Sequence, residues 1–137
     1  MSASDITKIE DTLNFKLPQF YIETMLNYPF PLDSFAAEFL LCADVQAIIG
    51  KNSLFSPEEG KFAIGGDGGE LTFYIKLNGE EKVYIYDLER SYIHHTVEAE
   101  TWNDYVKSMQ QSEEEILQDK LLEKEREKHK KWWQFWR

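Results

Sequence analysis

Residues 62–87 read FAIGGDGGELTFYIKLNGEEKVYIYD, the pattern of a glycine-rich loop followed by a β-hairpin. Apolar side chains occupy every second position of 71–77, the spacing that places them on one face of a strand. The pair Asn78-Gly79 favours the positive φ angles of a tight turn, and apolar and tyrosine residues alternate again over 83–86. The stretch therefore predicts two antiparallel strands at the centre of the fold.

The length of the turn decides which side chains of this hairpin share a face. A two-residue loop pairs Leu77 with Glu80 and places Val83 on the polar side of the sheet. A three-residue loop or a bulge shifts the register by one, which we expect because it gathers the apolar side chains Leu71, Phe73, Ile75, Leu77, Val83 and Ile85. The opposite face then carries a tyrosine stripe, which is either the half-buried back of the sheet or a binding surface. The tyrosine stripe consists of Tyr74, Tyr84 and Tyr86.

The composition indicates one acidic domain of 137 residues with a net charge of -10. Residues 1–112 hold 18 acidic and 8 basic side chains, whereas residues 113–137 hold 7 of each. An acidic body repels nucleic acid and suits a basic protein partner, although solubility alone also accounts for such a charge. The single Cys42 excludes an internal disulfide, and its apolar neighbours predict a buried thiol rather than a catalytic thiolate. The first ten residues lack a basic region followed by an apolar run, so we expect a cytoplasmic protein.

Helix and turn signals organise the chain before the hairpin. Ser4 is the expected N-cap of a first helix ending near Leu13, and Pro18 is expected to start a second. We expect a loop over 32–38, a short strand over 39–43, and a helix capped by Asp44. Cys42 lies in that predicted strand.

After the hairpin, the pattern predicts a strand over 92–97, a helix over 98–109 and a long terminal helix from 112. In the terminal helix acidic residues precede basic ones, and four apolar residues are expected to bury one side: Ile116, Leu117, Leu121 and Leu122. The fold class is α+β, with an antiparallel or mixed central sheet of about four to six strands. Helices pack mainly on one face of this sheet, and a C-terminal extension helix follows. We place the domain at 1–111 and the charged helix with its Trp-rich end at 112–137.

The residues do not form a catalytic constellation. GGDGGE departs from a dinucleotide fingerprint because position 71 is leucine, so its glycines either permit a tight turn or offer backbone amides to a ligand. His94 and His95 are adjacent and would point to opposite faces of a strand. The sequence therefore predicts no enzyme, no metal site and no cofactor.

Four segments resemble, in the same order, motifs of the SUKH superfamily. They are IEDTLNFKLPQFYIETM at 9–25, FAIGGDGGELTFYI at 62–75, VYIYDLE at 83–89 and TVEAETWNDYVKSM at 96–109. The resemblance covers roughly residues 5–110 and implies an α+β domain without catalytic activity. The superfamily is dominated by bacterial immunity proteins that bind and neutralise toxins, often nucleases or deaminases. It also includes a fungal cell-wall assembly regulator linked to killer-toxin resistance.

This resemblance implies that the partner is a protein toxin, and the acidic body suggests that the toxin is basic. Carboxylates near the tyrosine stripe can steer and bind such a partner, with tyrosines as anchors, or they are ordinary solvated turn residues. The candidate partner-binding residues are Asp67, Glu70, Tyr74, Glu80, Glu81, Tyr84, Tyr86, Asp87 and Glu89.

The terminal aromatics are a second candidate surface. Bordered by cations, they can bind a partner groove or a membrane interface, fold back on the domain, or join two copies of the chain. This C-terminal candidate set is Trp132, Trp133, Phe135 and Trp136. The alternative function is accordingly a non-catalytic regulatory or cell-wall-related adaptor that works through this helix.

Overall fold

The computed structural model describes residues 1–87 and 96–135, and in the last helix it describes side chains as far as Glu127. The α-helices are α1 (Ala3–Leu13), α2 (Gln19–Leu26), α3 (Val45–Lys51) and α4 (Trp102–Phe135). The strands are β1 (Lys61–Gly66), β2 (Leu71–Lys76), β3 (Val83–Asp87) and β4 (Thr96–Ala99). A π-helix spans Ala36–Leu40, and short 3-10 turns span Asn52–Leu54 and Pro57–Glu59.

The four described strands form one antiparallel sheet in the order β1-β2-β3-β4. Across the hairpin, Phe73 lies opposite Ile85 and Ile75 lies opposite Val83. The expected one-residue shift is therefore confirmed, because the apolar residues of both strands share one face. The α+β class is confirmed as well, with the helices against this sheet and a long helix at the C-terminal end.

The main core lies between the apolar face of the sheet and the helices. Tyr21 of α2 packs edge-on against Phe62 of β1, with ring centroids 5.1 Å apart, and against Trp102 of α4, at 6.0 Å. Trp102 also donates its indole N–H to the hydroxyl of Thr24, at 2.8 Å. Cys42 is buried in this core, as expected, and burial raises the pKa of its thiol. Long-range aromatic packing thus fixes α2 and the start of α4 on the sheet.

The expected strand over 39–43 is wrong, because Phe39 and Leu40 belong to the π-helix and residues 41–43 follow it outside the described strands. Backbone N–H groups just after the π-helix bond five or six residues back into it, from Leu41 to the Ala36 carbonyl and from Ala43 to the Ala37 carbonyl. The π-helix lies so close to β1 that a Cβ on Gly65 would be 2.3 Å from the Leu40 oxygen. The apolar run over 39–43 is compatible with a strand or with a buried helix. Contacts with residues distant in sequence favour the helix here.

The helix boundaries follow capping chemistry. Ser2, rather than the expected Ser4, caps α1 in a reciprocal capping box with Asp5. Asp44 caps α3 as expected, through its bond from the Gln46 N–H. Pro18 is the residue before α2, not its first helical position.

The C-terminal third of the chain contains one continuous helix where two were expected. The helices expected over 98–109 and from 112 form the single helix α4, and residues 98 and 99 belong to β4. Much of the strand expected over 92–97 lies outside the described residues. The prediction that one side of the terminal helix is buried is wrong for three leucines, since only Ile116 is half-buried. The exposed leucines are Leu117, Leu121 and Leu122.

Candidate protein-binding surface

The sheet separates the acidic residues of the hairpin into two groups. Leu71 pairs with Asp87, so Glu70 and Asp87 lie at one end of β2. Glu80 and Glu81 lie beyond the other end of β2, in the turn to β3. The five residue steps of β2, from Leu71 to Lys76, separate its two ends by about 17 Å. The five described acids of the set proposed from the sequence therefore do not surround one site. The sixth, Glu89, lies outside the described residues.

Asp67 organises the glycine-rich loop from within. Its carboxylate Oδ1 accepts hydrogen bonds from the backbone N–H groups of Gly69, at 2.8 Å, and Leu71, at 3.1 Å. Gly68 adopts a φ of 83°, which a residue with a side chain rarely adopts. The carboxylate thus uses two of the amides that a ligand would need, which supports the tight-turn interpretation of this loop.

The glycine-rich loop packs against the π-helix. A Cβ on Gly68 would come within 3.0 Å of the Phe39 ring, and that ring lies 4.9 Å from the ring of Phe35. The loop carrying Asp67 and the segment preceding α3 are therefore in contact. This contact adds a second set of acids to the Asp67 end of the sheet.

An open groove of about 390 Å³ lies between the start of the π-helix and the start of α3. Leu32, at its edge, has 77 % of its surface exposed. Among the described residues that line the groove, three are acidic and none is basic. We call it the acidic groove, and it is lined by Leu32, Asp33, Ala37, Glu38, Ala43 and Asp44.

The acidic groove suits a cationic side chain with an apolar stem. Carboxylates at the rim attract lysine or arginine, while Ala37, Ala43 and Leu32 offer apolar surface to the methylene groups. The sequence interpretation missed Asp33 and Glu38, because it assigned 32–38 to a loop without a role. The sequence signal that could have identified them is that the apolar residues Leu32 and Phe35 lie close to these acids along the chain.

The tyrosine stripe is largely packed rather than open. Phe55 packs edge-to-face with Tyr74, with ring centroids 5.2 Å apart, and Tyr74 stacks on Tyr84 at 5.3 Å. Both tyrosines are buried, while Tyr86 is half-buried beside them. The stripe is thus mainly the back of the sheet, and Tyr86 offers the more accessible ring.

Lysine ammonium groups lie over two of these rings. The Lys76 ammonium is 4.6 Å from the Tyr84 ring centroid, and the Lys61 ammonium is 5.5 Å from that of Tyr74. Tyr84 donates its hydroxyl to Glu80, at 2.6 Å. This bond raises the pKa of Tyr84 to about 12 and lowers the pKa of Glu80 below its ordinary value. Glu80 is therefore engaged with the sheet.

A second open groove, of about 650 Å³, lies at the hairpin-turn end. Lys16, Glu23 and Glu81 line it together with apolar residues, so it carries charges of both signs. Mixed charge gives no preference for a basic partner. The acidic groove is therefore the better match to a basic protein.

The aromatic C-terminal set is only partly described. Trp132, Trp133 and Phe135 belong to the backbone of α4, but their side chains and all of Trp136 lie outside the described part. Within the described residues, no helix is both long and apolar enough to cross a membrane. No group of three potential metal ligands occurs among those same residues.

Comparison with known proteins finds no matching family model, no matching curated protein and no matching solved structure.

Proposed function

We propose that this chain is an immunity protein that binds and neutralises a basic protein toxin in the cytoplasm, without catalysing a reaction. The observation that carries the proposal is the acidic groove, where three carboxylates meet an exposed leucine. The motifs that resemble the SUKH superfamily supply the toxin as the class of partner. A nuclease or deaminase that handles nucleic acid needs a cationic surface, which the groove and the adjacent Asp67 loop complement.

The geometry supports recognition by charge and by a small apolar contact together. Opposite charges speed encounter and penalise acidic competitors, whereas affinity depends on a few well-packed side chains. Leu32 and Phe35 are exposed apolar residues beside the carboxylates and can serve as those contacts. We expect the toxin to present an arginine or lysine to the groove.

Charge reversal tests the proposal with a matched control. Asp33→Lys with Glu38→Lys alters the groove, and Glu58→Lys with Glu81→Lys makes the same change of net charge at the opposite end of the sheet. All four side chains are exposed, so both double variants should fold. Full-length proteins are used as bait in the source cells, and captured proteins are identified by mass spectrometry.

We expect the wild type and the control to retain a basic protein that the groove variant loses. Expression of that protein alone should stop growth, and co-expression of the wild type should restore it. Equal rescue by the groove variant would reject this surface. A captured protein without toxicity would reject the immunity function itself.

The second candidate is a non-catalytic regulatory or cell-wall-related adaptor that acts through the Trp-rich end of α4. The exposed leucines on α4 favour it, because they show a helix with apolar side chains outside the domain core. Liposome sedimentation of the full chain and of a Trp132→Ser, Trp133→Ser variant tests the membrane form of this function. Equal partitioning of the two proteins would remove it.

A further inference from the structure

The stretch of α4 from Leu117 to Glu127 lies outside the domain core. Among the described side chains of α4, Met109 is the last that is buried and Ile116 is half-buried, whereas those from Leu117 to Glu127 are all exposed. Three leucines lie in this stretch, with exposed fractions of 60 % for Leu117, 55 % for Leu121 and 53 % for Leu122. Exposed leucines close together on one helix are typical of an interaction surface.

Two of these leucines belong to a charged seam. Glu114, Leu117, Leu121 and Lys124 follow one another at spacings of 3, 4 and 3 residues, which places them on one face of the helix. All four side chains are exposed. Leu122 is rotated by about 100° from Leu121 and lies off this face. We call these four residues the α4 seam.

We propose that the α4 seam binds the same seam of a second copy of this chain, with the two helices antiparallel. Along the helix the seam runs acid, leucine, leucine, base, and the four positions are symmetric about residue 119. In an antiparallel second copy the order is reversed, so each acid meets a base and each leucine meets a leucine. Leu117 of one copy then faces Leu121 of the other, and Glu114 faces Lys124, twice by symmetry. A parallel, in-register pair would instead place Glu114 on Glu114 and Lys124 on Lys124, which repel. Charge complementarity therefore selects both the occupant and its direction.

The size of the seam sets the strength of the dimer. Four leucines and two exposed ion pairs make an interface well below the roughly 1,000 Å² of a stable assembly. The association is therefore weak, depends on concentration and becomes weaker as salt screens the ion pairs. It goes beyond the proposed toxin binding and uses other residues.

Sedimentation equilibrium of the full chain, from the micromolar to the millimolar range, tests the dimer. We expect the average mass to rise from monomer towards dimer with concentration. Leu121→Ser should weaken the association about tenfold, since it removes two contacts of the symmetric seam. Leu122→Ser is the matched control, being an equally exposed leucine off the seam, and should leave the dissociation constant unchanged.

Exchange of the two charged residues tests whether the paired helices are antiparallel. Glu114→Lys alone should weaken the dimer about tenfold, because it places two lysines opposite each other at both ends of the seam. Glu114→Lys combined with Lys124→Glu should restore wild-type association. A monomer at all concentrations overturns the proposal, as does an equal effect of Leu121→Ser and Leu122→Ser. Failure of the double exchange to restore association overturns the antiparallel arrangement. None of these variants alters the acidic groove, so their outcome leaves toxin binding to its own test.

Discussion

Asn52 ties α3 to the outer side of β1, and its replacement should destabilise the fold strongly. Its side-chain Nδ2 donates to the carbonyls of Ile48, at 2.9 Å, and Ala63, at 3.1 Å, while Oδ1 accepts from the Ala63 N–H, at 2.8 Å. Asn52 is buried, and Ala63 is fully buried in β1. One side chain thus satisfies both backbone polar groups of Ala63 on the side away from β2.

The Asn52→Ala variant leaves the Ala63 N–H and C=O without this partner. A buried backbone group without a hydrogen bond costs about 1–3 kcal/mol, so we expect the free energy of unfolding to fall by about 2–6 kcal/mol. Total stability for a domain of this size is about 5–15 kcal/mol, which makes the loss easy to measure. The Asn52→Leu variant keeps most of the volume and should be destabilised as well, because the lost hydrogen bonds are the cause.

Urea unfolding followed by far-UV circular dichroism measures this change. Asn27→Ala is the matched control, since Asn27 is exposed and donates one bond, at 3.2 Å, to the Glu23 carbonyl. We expect the control to stay within about 0.5 kcal/mol of the wild type. A similarly small effect for both Asn52 variants would refute the reasoning, because it would mean that water satisfies Ala63 at no cost.

Three further outcomes follow from single positions. Gly65→Ala should lower the midpoint of urea unfolding by an amount equivalent to about 1–3 kcal/mol, because its Cβ would overlap the Leu40 carbonyl; an unchanged midpoint would contradict this close approach. Gly50→Ala should instead raise the stability by about 0.5–1 kcal/mol in the same assay, since nothing lies within 4 Å of its added Cβ in α3. Tyr84→Phe should raise the pKa of Glu80 towards its ordinary value of 4.5 in a carboxyl NMR titration. The pKa of Glu80 in the folded state lies below 4.5, so the bond stabilises the fold at pH values above 4.5. This contribution is lost as the pH falls through the folded-state pKa of Glu80. No change in the Glu80 titration would exclude the bond.

Local sequence patterns predicted the elements whose chemistry is local. The alternation over 71–77 and 83–86 specified both strands of the hairpin, and the gain from burying all apolar side chains together specified their register. Asp44 identified the start of α3, because an N-cap acts on backbone groups two residues away. The break between α1 and α2 likewise followed from Pro18.

The candidate surface was predicted in part. Asp67, Glu70 and Asp87 were recognised as acids near the sheet, but their separation from Glu81 depends on strand direction and length. The packing of Phe55 over Tyr74 also required the fold, since these residues are distant in sequence. The sequence could not assign Tyr74 to a buried cluster rather than to a binding face.

The sequence was sufficient for an acidic α+β domain with a central hairpin and a charged terminal helix, because periodicity, capping and turn chemistry act over a few residues. Tertiary structure decided the π-helix, which is held by bonds from the Tyr105 hydroxyl to the Leu40 carbonyl and from the Ala36 N–H to the Glu113 carboxylate. These partners are 65 and 77 residues apart. Hydrogen bonds and packing over such separations form only when the whole chain is folded, and they created the acidic groove.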